Sequence, residues 1–584
     1  MSRLLSVLRG HLHFLVLVPA LIVVMTYPTI LYVFDAEVFW LPTQVQDVWS
    51  KIWNIWYGKL LVAGQAEFLY TDLMFYPEGV SLAYHTFSIP HILVAGVLES
   101  FMPVDKAYNL TFLFFVFSAA LSAYVYLLYL FRHKWLGLFG AVIFGCSGYV
   151  IGRPSQPDVS IIATIPLTLY FFHRAVREKR WSLAALSGFL AGATAFIGIY
   201  TYVCLLIALG LFILYFALLR WRHRDFWYQV IVLLVIAGSI GMLRVYPMLR
   251  DSDSLKHALA KPRGEEFNND LMQYFVNLDH PFTTPLFREF FGLEIYPRHN
   301  TSYLGYIPLA LIIFGFTRSA YRRKMLLWLY LMIPFLVLRL GTALTINGQR
   351  YDAIVLPKQI LDNLIPSIFT AIYSPDYFYC GALIPLAVLS CYGLLALLRS
   401  LSKRLRFFFI VLAILATACE YYVARDDLFL SDQQLAFLDW LAQEDEQDSI
   451  RLIHVPMGRV NAKLFDFYQT LSAYPHAEGV ADRTPPAAYS YINSNLLLGT
   501  WIASESIQCQ PQNESQYLAA IDALARDGFS HVVMHRKLWN SPYVADSFLY
   551  AHASYQDDFS AIYRLSDLRH SCPKHRPGRA GRDG

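Results

Sequence analysis

Asp47 lies in TQVQDVWSKIWNIWYGKLL, residues 43–61, a carboxylate in a run that also holds Trp49, Trp53 and Trp56, with Trp40 just upstream. Tryptophan favours the boundary between water and an apolar phase, so this acid is set where a polar reaction could meet a greasy substrate. The same stretch of chain offers Asp35 and Glu37, then Asp72, Glu78 and His85, while Asp158 stands in the turn GRPSQPD. Carboxylates in such places can take a proton from a reacting group. Arg244, Arg250 and Arg339 fall at or near the ends of apolar runs, where a cation is a candidate for holding an anion. No Walker loop, G-x-G-x-x-G, G-x-S-x-G or H-E-x-x-H is present, which sets aside soluble nucleotide chemistry and the familiar hydrolases.

The elements that would position these groups are membrane helices. Of 584 residues, 56% are hydrophobic, 16% aromatic and only 15% charged, too apolar for a set of soluble domains. The net charge of +4 is spread in short basic clusters between apolar runs, a topology signal rather than a nucleic-acid face. Runs of spanning length occur at 12–34, 107–131, 135–152, 159–176, 181–199, 201–219, 227–249, 303–317, 324–342, 376–398 and 406–424, which gives about eleven crossings. The first lacks a small-residue cleavage site and follows Arg3 and Arg9, so it is read as a retained helix with the N-terminus in the cytoplasm. Residues 86–102 are also apolar. If they crossed, the clusters RHK, HRAVREKR, RWRHR, RSAYRRK and RSLSKRLR would all face outside, so the segment is expected to be re-entrant or interfacial. The outer loops are then 35–106, 250–302 and 343–375, within a transmembrane domain of residues 1–424. Beyond it, IRLIHV and FSHVVMH alternate with the helix-like ESQYLAAIDALARDG, pointing to a small extracytoplasmic α/β domain over 425–570, and 571–584 reads as a disordered basic tail. Cys509 and Cys572 could pair if that domain faces an oxidising compartment, but are expected to be unlinked.

The ordered set DVWSKIWNIWY, YTDLMFYPEGVSLAYHT, AYNLTFLFFVFSAALSAYVYLLYL, SYLGYIPLAL, RLGTALTINGQRYDAIVLP, SPDYF and FDFYQTLSAYPHAEGVADR resembles the bacterial membrane glycosyltransferases of the GT-C superfamily, which use polyprenyl-phosphate-linked sugars. The resemblance runs over most of the chain. It implies an α-helical polytopic fold in which an acid of the first outer loop, Asp47 by motif position, takes the proton of the acceptor hydroxyl. Asp35 and Glu37, directly after the first helix, are the runner-up pair. Asp158 would support the acceptor, and Arg244, Arg250 and His85 would face the donor phosphate.

The sequence departs from the group at two points: Gln156 stands where a histidine is common, and Tyr373 and Tyr377 stand where arginines flank a proline. The resemblance leaves metal ligation unknown; no cofactor is certain, and a divalent cation, Mg or Mn, beside the acids is the candidate. The implied partners are a polyprenyl-phosphate-linked sugar, a cell-envelope glycan, lipid or protein acceptor, and membrane lipids, with no nucleic acid. The implied location is the inner (plasma) membrane, as a multi-pass protein. Plainer readings stand beside these: Asp47 as a solvated loop residue, Asp158 as a helix cap, Arg244 and Arg250 as snorkelling side chains, His85 and His91 as packed interfacial histidines. The competing function is a non-catalytic lipid-sugar carrier or assembly factor on the same fold.

Overall fold

The computed structural model describes residues 9–32, 38–41, 46–251, 256, 268–295, 302–369, 372, 374–423, 426–429, 432–444 and 450–572. The chain divides into two compact units, one of residues 1–45 and 86–428, the other of residues 46–85 and 429–584. The first unit ends at 428 and the C-terminal part of the second begins at 429. The first outer loop, however, is split: residues 46–85 cluster with the C-terminal part rather than with the helices that flank them.

In the first unit each of the expected apolar runs forms a helix: Leu12–Met25, Val104–Phe131, Lys134–Gly145, Thr164–Glu178, Trp181–Ala193, Ile199–Arg220, Arg224–Arg250, Tyr306–Thr317, Arg322–Arg339, Tyr379–Arg399 and Lys403–Glu420. Among the described residues, five helical stretches are long and apolar enough to cross a membrane: Val104–Phe131, Pro157–Glu178, Ile199–Arg220, Arg224–Arg250 and Pro375–Arg399. The expected re-entrant segment holds the helix Ile89–Glu99, whose 11 residues extend about 16 Å, well short of a bilayer core of about 30 Å. Tyr379–Arg399 is the axial element, buried along nearly its whole length and packed against Lys134–Gly145, Tyr306–Thr317 and Arg322–Arg339. Gly393 lies directly against the backbone of Leu311, where a Cβ would overlap the carbonyl, so the two helices meet through a small residue.

The second unit is the expected α/β fold. Its sheet runs in the order Leu452–Val455, His531–His535, Ser560–Arg564, Tyr555–Gln556; the first two strands are parallel and the others antiparallel. Arg459–Ser472 follows the first strand and Glu514–Arg526 precedes the second. Cys509 and Cys572 are joined, contrary to the expectation that they are unlinked, with Cα atoms 5.0 Å apart. The last residues of the expected tail, 573–584, lie outside the described residues.

The helix Gln46–Val62 belongs to this unit, with Trp49 and Trp53 packed into its core. Trp49 and Trp53 are both buried. Trp53 stacks on Tyr57 at 4.4 Å between ring centroids and donates its indole N–H to Gln469 Oε1 at 2.8 Å, while Trp49 packs on Phe467 at 4.8 Å. A buried indole needs an acceptor, and Gln469 supplies it while its own amide donates to the carbonyls of Leu73 and Tyr474. Trp53→Ala is expected to destabilise the second unit by about 3–5 kcal/mol, whereas Trp56→Ala, at a half-buried position, should cost clearly less. Urea-dependent proteolysis of the two variants in mild detergent measures the difference.

Candidate functional site

In the first unit, the polar residues nearest the GRPSQPD turn form a buried network. Arg153 follows the short helix Gly148–Ile151 and is only 3% exposed. Its guanidinium lies over the Tyr149 ring at 4.4 Å and the Tyr377 ring at 5.5 Å, and it is ion-paired with Asp376, which also accepts from the Ser374 hydroxyl. Gln156 Oε1 accepts from Arg153 Nη1 at 3.4 Å. Arg153 thus brings a guanidinium to SPDYF, where the sequence shows only tyrosines. Tyr373 lies outside the described residues.

Asp158 is the second residue of the turn Pro157–Ser160 and is buried. Its carbonyl accepts from the Thr201 hydroxyl at 3.0 Å, and the turn packs against Val104–Phe131 and Ile199–Arg220. Asp105 and Asn109 of Val104–Phe131 are also buried. Arg244 is buried within Arg224–Arg250, whereas Arg250, at the end of that helix, is exposed. His91 is buried edge-on to Tyr108.

Arg339, the last residue of Arg322–Arg339, has no exposed surface. Nε donates to Ser302 Oγ at 2.8 Å, Nη1 to the Asp270 carbonyl at 3.3 Å and Nη2 to Gln273 Oε1, with the guanidinium over the Tyr274 ring at 4.9 Å. All these partners are neutral. The nearby Asp270 carboxylate is taken up by the backbone N–H groups of Met272 and Gly348. Among the described residues Arg339 has no ion pair, and the buried acid beside it is Asp270, whose carbonyl it holds.

The remaining sequence candidates fall in the second unit. Asp47 occupies the first turn of Gln46–Val62, where a carboxylate complements the helix dipole, and it accepts from Lys463 Nζ at 2.6 Å. It is neither a solvated loop residue nor unengaged. His85 has no exposed surface. Asn54 Oδ1, 2.6 Å from Nε2, can only accept, so Nε2 carries the proton; Nδ1 accepts the Asp482 N–H at 3.2 Å. Both ring nitrogens are therefore hydrogen-bonded inside the protein. Glu78 accepts from Ser490 at 3.0 Å. Asp35 and Glu37 lie outside the described residues.

A titratable cluster that sequence reasoning missed lies at the parallel strands. His454 and His535 stand side by side, Nδ1 to Nε2 at 2.9 Å, and burial holds both below the usual imidazole range, His535 at about 3. Next to His454, the ring of His476 lies 3.4 Å from Asp466. Burial raises the Asp466 carboxyl and pushes Glu478 up to about 7, although Glu478 Oε2 accepts the Gly458 N–H at 2.7 Å. The available signal was the histidines of the strand-like runs, His454 in IRLIHV and His531 and His535 in FSHVVMH. Among the described residues no three His, Cys, Asp or Glu side chains are grouped as ligands for a metal ion.

Residues 93–244, roughly a quarter of the chain, match the family model described as dolichyl-phosphate-mannose-protein mannosyltransferase. Among curated proteins none matches. Among solved structures, the chain is similar to the oligosaccharyltransferase of Archaeoglobus fulgidus in the apo form, with 13% identity and a TM-score of 0.51, covering 96% of this chain and 77% of that one. The same organism's AglB in complex with an inhibitory peptide and a dolichol-phosphate gives 12% identity and 0.50, with the same coverage. ArnT from Cupriavidus metallidurans bound to undecaprenyl phosphate gives 11% and 0.47, covering 95% and 99%. The fold is that of the GT-C membrane glycosyltransferases, as the sequence motifs imply.

The buried acids make a pH prediction. A carboxyl whose folded-state pKa lies above its free value of 4.5 weakens the fold as pH rises from 4.5 through about 7, because the unfolded chain releases its proton first. Glu478→Gln keeps an oxygen for Gly458 and removes that ionisation. Its stability relative to wild type is therefore expected to climb by about 3 kcal/mol between pH 4.5 and 7 and to stay level above, as read by urea unfolding of the second unit across pH.

Proposed function

We propose that the protein is an integral-membrane glycosyltransferase that moves a sugar from a polyprenyl-phosphate-linked donor to a hydroxyl acceptor of the cell envelope, on the outer face of the inner membrane. The observation that carries this reading is Arg339, a buried guanidinium held only by neutral groups in a fold whose solved examples include an enzyme captured with a dolichol-phosphate. A lipid phosphate is an anion whose chain lies in the membrane, and it would answer that charge. As the sugar–phosphate bond breaks, negative charge grows on the leaving oxygen, and a guanidinium already oriented by Ser302, Gln273 and Asp270 stabilises it without rearranging. Arg244, buried, is the second cation of the donor site; Arg250, exposed, ranks behind it.

The acceptor hydroxyl is a poor nucleophile until a carboxylate takes its proton, a contribution of about 10²–10⁴ in rate. Lys463 engages Asp47, so the pair that follows the first helix, Asp35 and Glu37, moves ahead of it as the base. Asp158, buried with Asp105 and Asn109 in the same unit, supports the acceptor. No step is routed through a metal ion.

The second reading, a lipid-sugar carrier or assembly factor, is favoured by the Arg153–Asp376 pair, which closes the SPDYF position on itself. Mass spectrometry of lipids that co-purify in mild detergent separates the two. For a transferase, wild type and Asp47→Asn should hold mostly sugar-free polyprenyl phosphate, and the double variant Asp35→Asn, Glu37→Gln should retain the intact lipid-linked sugar. Equal retention of intact donor by all three would establish the carrier. Arg339→Gln should bind polyprenyl phosphate about tenfold or more weakly, yet melt at a higher temperature than wild type when lipid is absent, because an unanswered buried charge has been removed.

A further inference from the structure

We propose that the helix Thr283–Phe291 in the loop 250–302 is a membrane-interface helix whose exposed face lies in the outer leaflet of the bilayer, an interaction that stands apart from the transferase reading. Phe282, Leu286 and Phe290 recur every four residues and so share one face; they are 80%, 50% and 68% exposed. An adjacent side is already used: Phe287 packs on a small core of Val276, Leu278, Leu293 and Ile295, and Thr284, further round, donates to the Asn277 carbonyl at 2.7 Å. The helix is therefore apolar on two sides, and only one has a protein partner among the described residues. Arg288, also exposed, lies about 200° around from Leu286. Three exposed large apolar side chains in nine residues are costly in water and suited to the boundary between headgroups and acyl chains.

The anchoring of this segment points to lipid rather than a protein partner. Asn277 Nδ2 donates to the carbonyls of Glu420 and Tyr422, both at 2.9 Å, and His280 Nε2 donates to that of Cys419 at 3.2 Å. The other ring nitrogen of His280 accepts from the N–H groups of Phe282 and Thr283 at 3.2 Å, fixing the start of the helix. Tyr306, at the start of Tyr306–Thr317, donates its hydroxyl to the Phe275 carbonyl. The segment is thus pinned to the ends of two apolar helices. Lys403–Glu420 itself exposes Phe407, Phe408, Leu412 and Leu415, and Tyr306–Thr317 exposes Ile313. Thr283–Phe291 is thus held beside two helices that also expose apolar side chains.

Nitroxide labels on Leu286→Cys, Phe290→Cys and Arg288→Cys, each in full-length Cys419→Ser protein reconstituted into phosphatidylglycerol/phosphatidylethanolamine vesicles, test this by collision with oxygen and with a water-soluble nickel chelate. Oxygen accessibility at 286 and 290 is expected to exceed nickel accessibility several-fold, with the order reversed at 288. Nickel accessibility at 286 and 290 equal to that at 288 would overturn the proposal in favour of a water-facing helix. Low accessibility to both reagents would overturn it in favour of a covering protein. Photolabelling of the unsubstituted protein with a diazirine lipid gives an independent reading: adducts should fall within 282–291, and their absence there would also overturn the assignment.

Discussion

A cation taken out of water must be answered, by a carboxylate, by a full set of acceptors or by a ligand. The membrane unit shows two of these solutions. Arg153 is closed by Asp376 and sandwiched by Tyr149 and Tyr377, so its charge is spent on holding the GRPSQPD turn to the start of Tyr379–Arg399. Arg339 is oriented just as firmly, but by neutral acceptors instead of an ion pair. The first arrangement is architecture; under the proposed function, the second is where the lipid phosphate would bind.

The two units divide the work differently from what their order in the chain suggests. The apolar helices supply the buried arginines and Asp158. The C-terminal unit takes in residues 46–85 as part of its own core through Trp53, Gln469, His85 and Asp482. It is thus a scaffold for half of the first outer loop, and damage to its core would disturb that loop without touching a reacting group. This also explains how Asp47 comes to be paired with Lys463.

The helices were legible because a spanning helix satisfies its own backbone and needs only length and apolarity. The α/β character of the C-terminal unit was legible from alternating strand-like and helix-like runs. What the residues could not show was partnership across the chain. Trp53 and Gln469 are 416 positions apart and Arg153 and Asp376 are 223 apart, and no local pattern announces either pair. The partners of His85 were hidden for the same reason: Asn54 and Asp482 bond its two nitrogens, and the second lies 397 positions away. Tryptophans beside a membrane helix look alike whether they face lipid or a folded domain, since the indole suits either boundary.

A structure of the full-length protein determined with polyprenyl phosphate bound would test the central claim most directly. The account predicts phosphate density within hydrogen-bond distance of the Arg339 guanidinium, with Ser302 and Gln273 still holding it. A lipid phosphate bound elsewhere, with Arg339 touching only protein, would contradict the account.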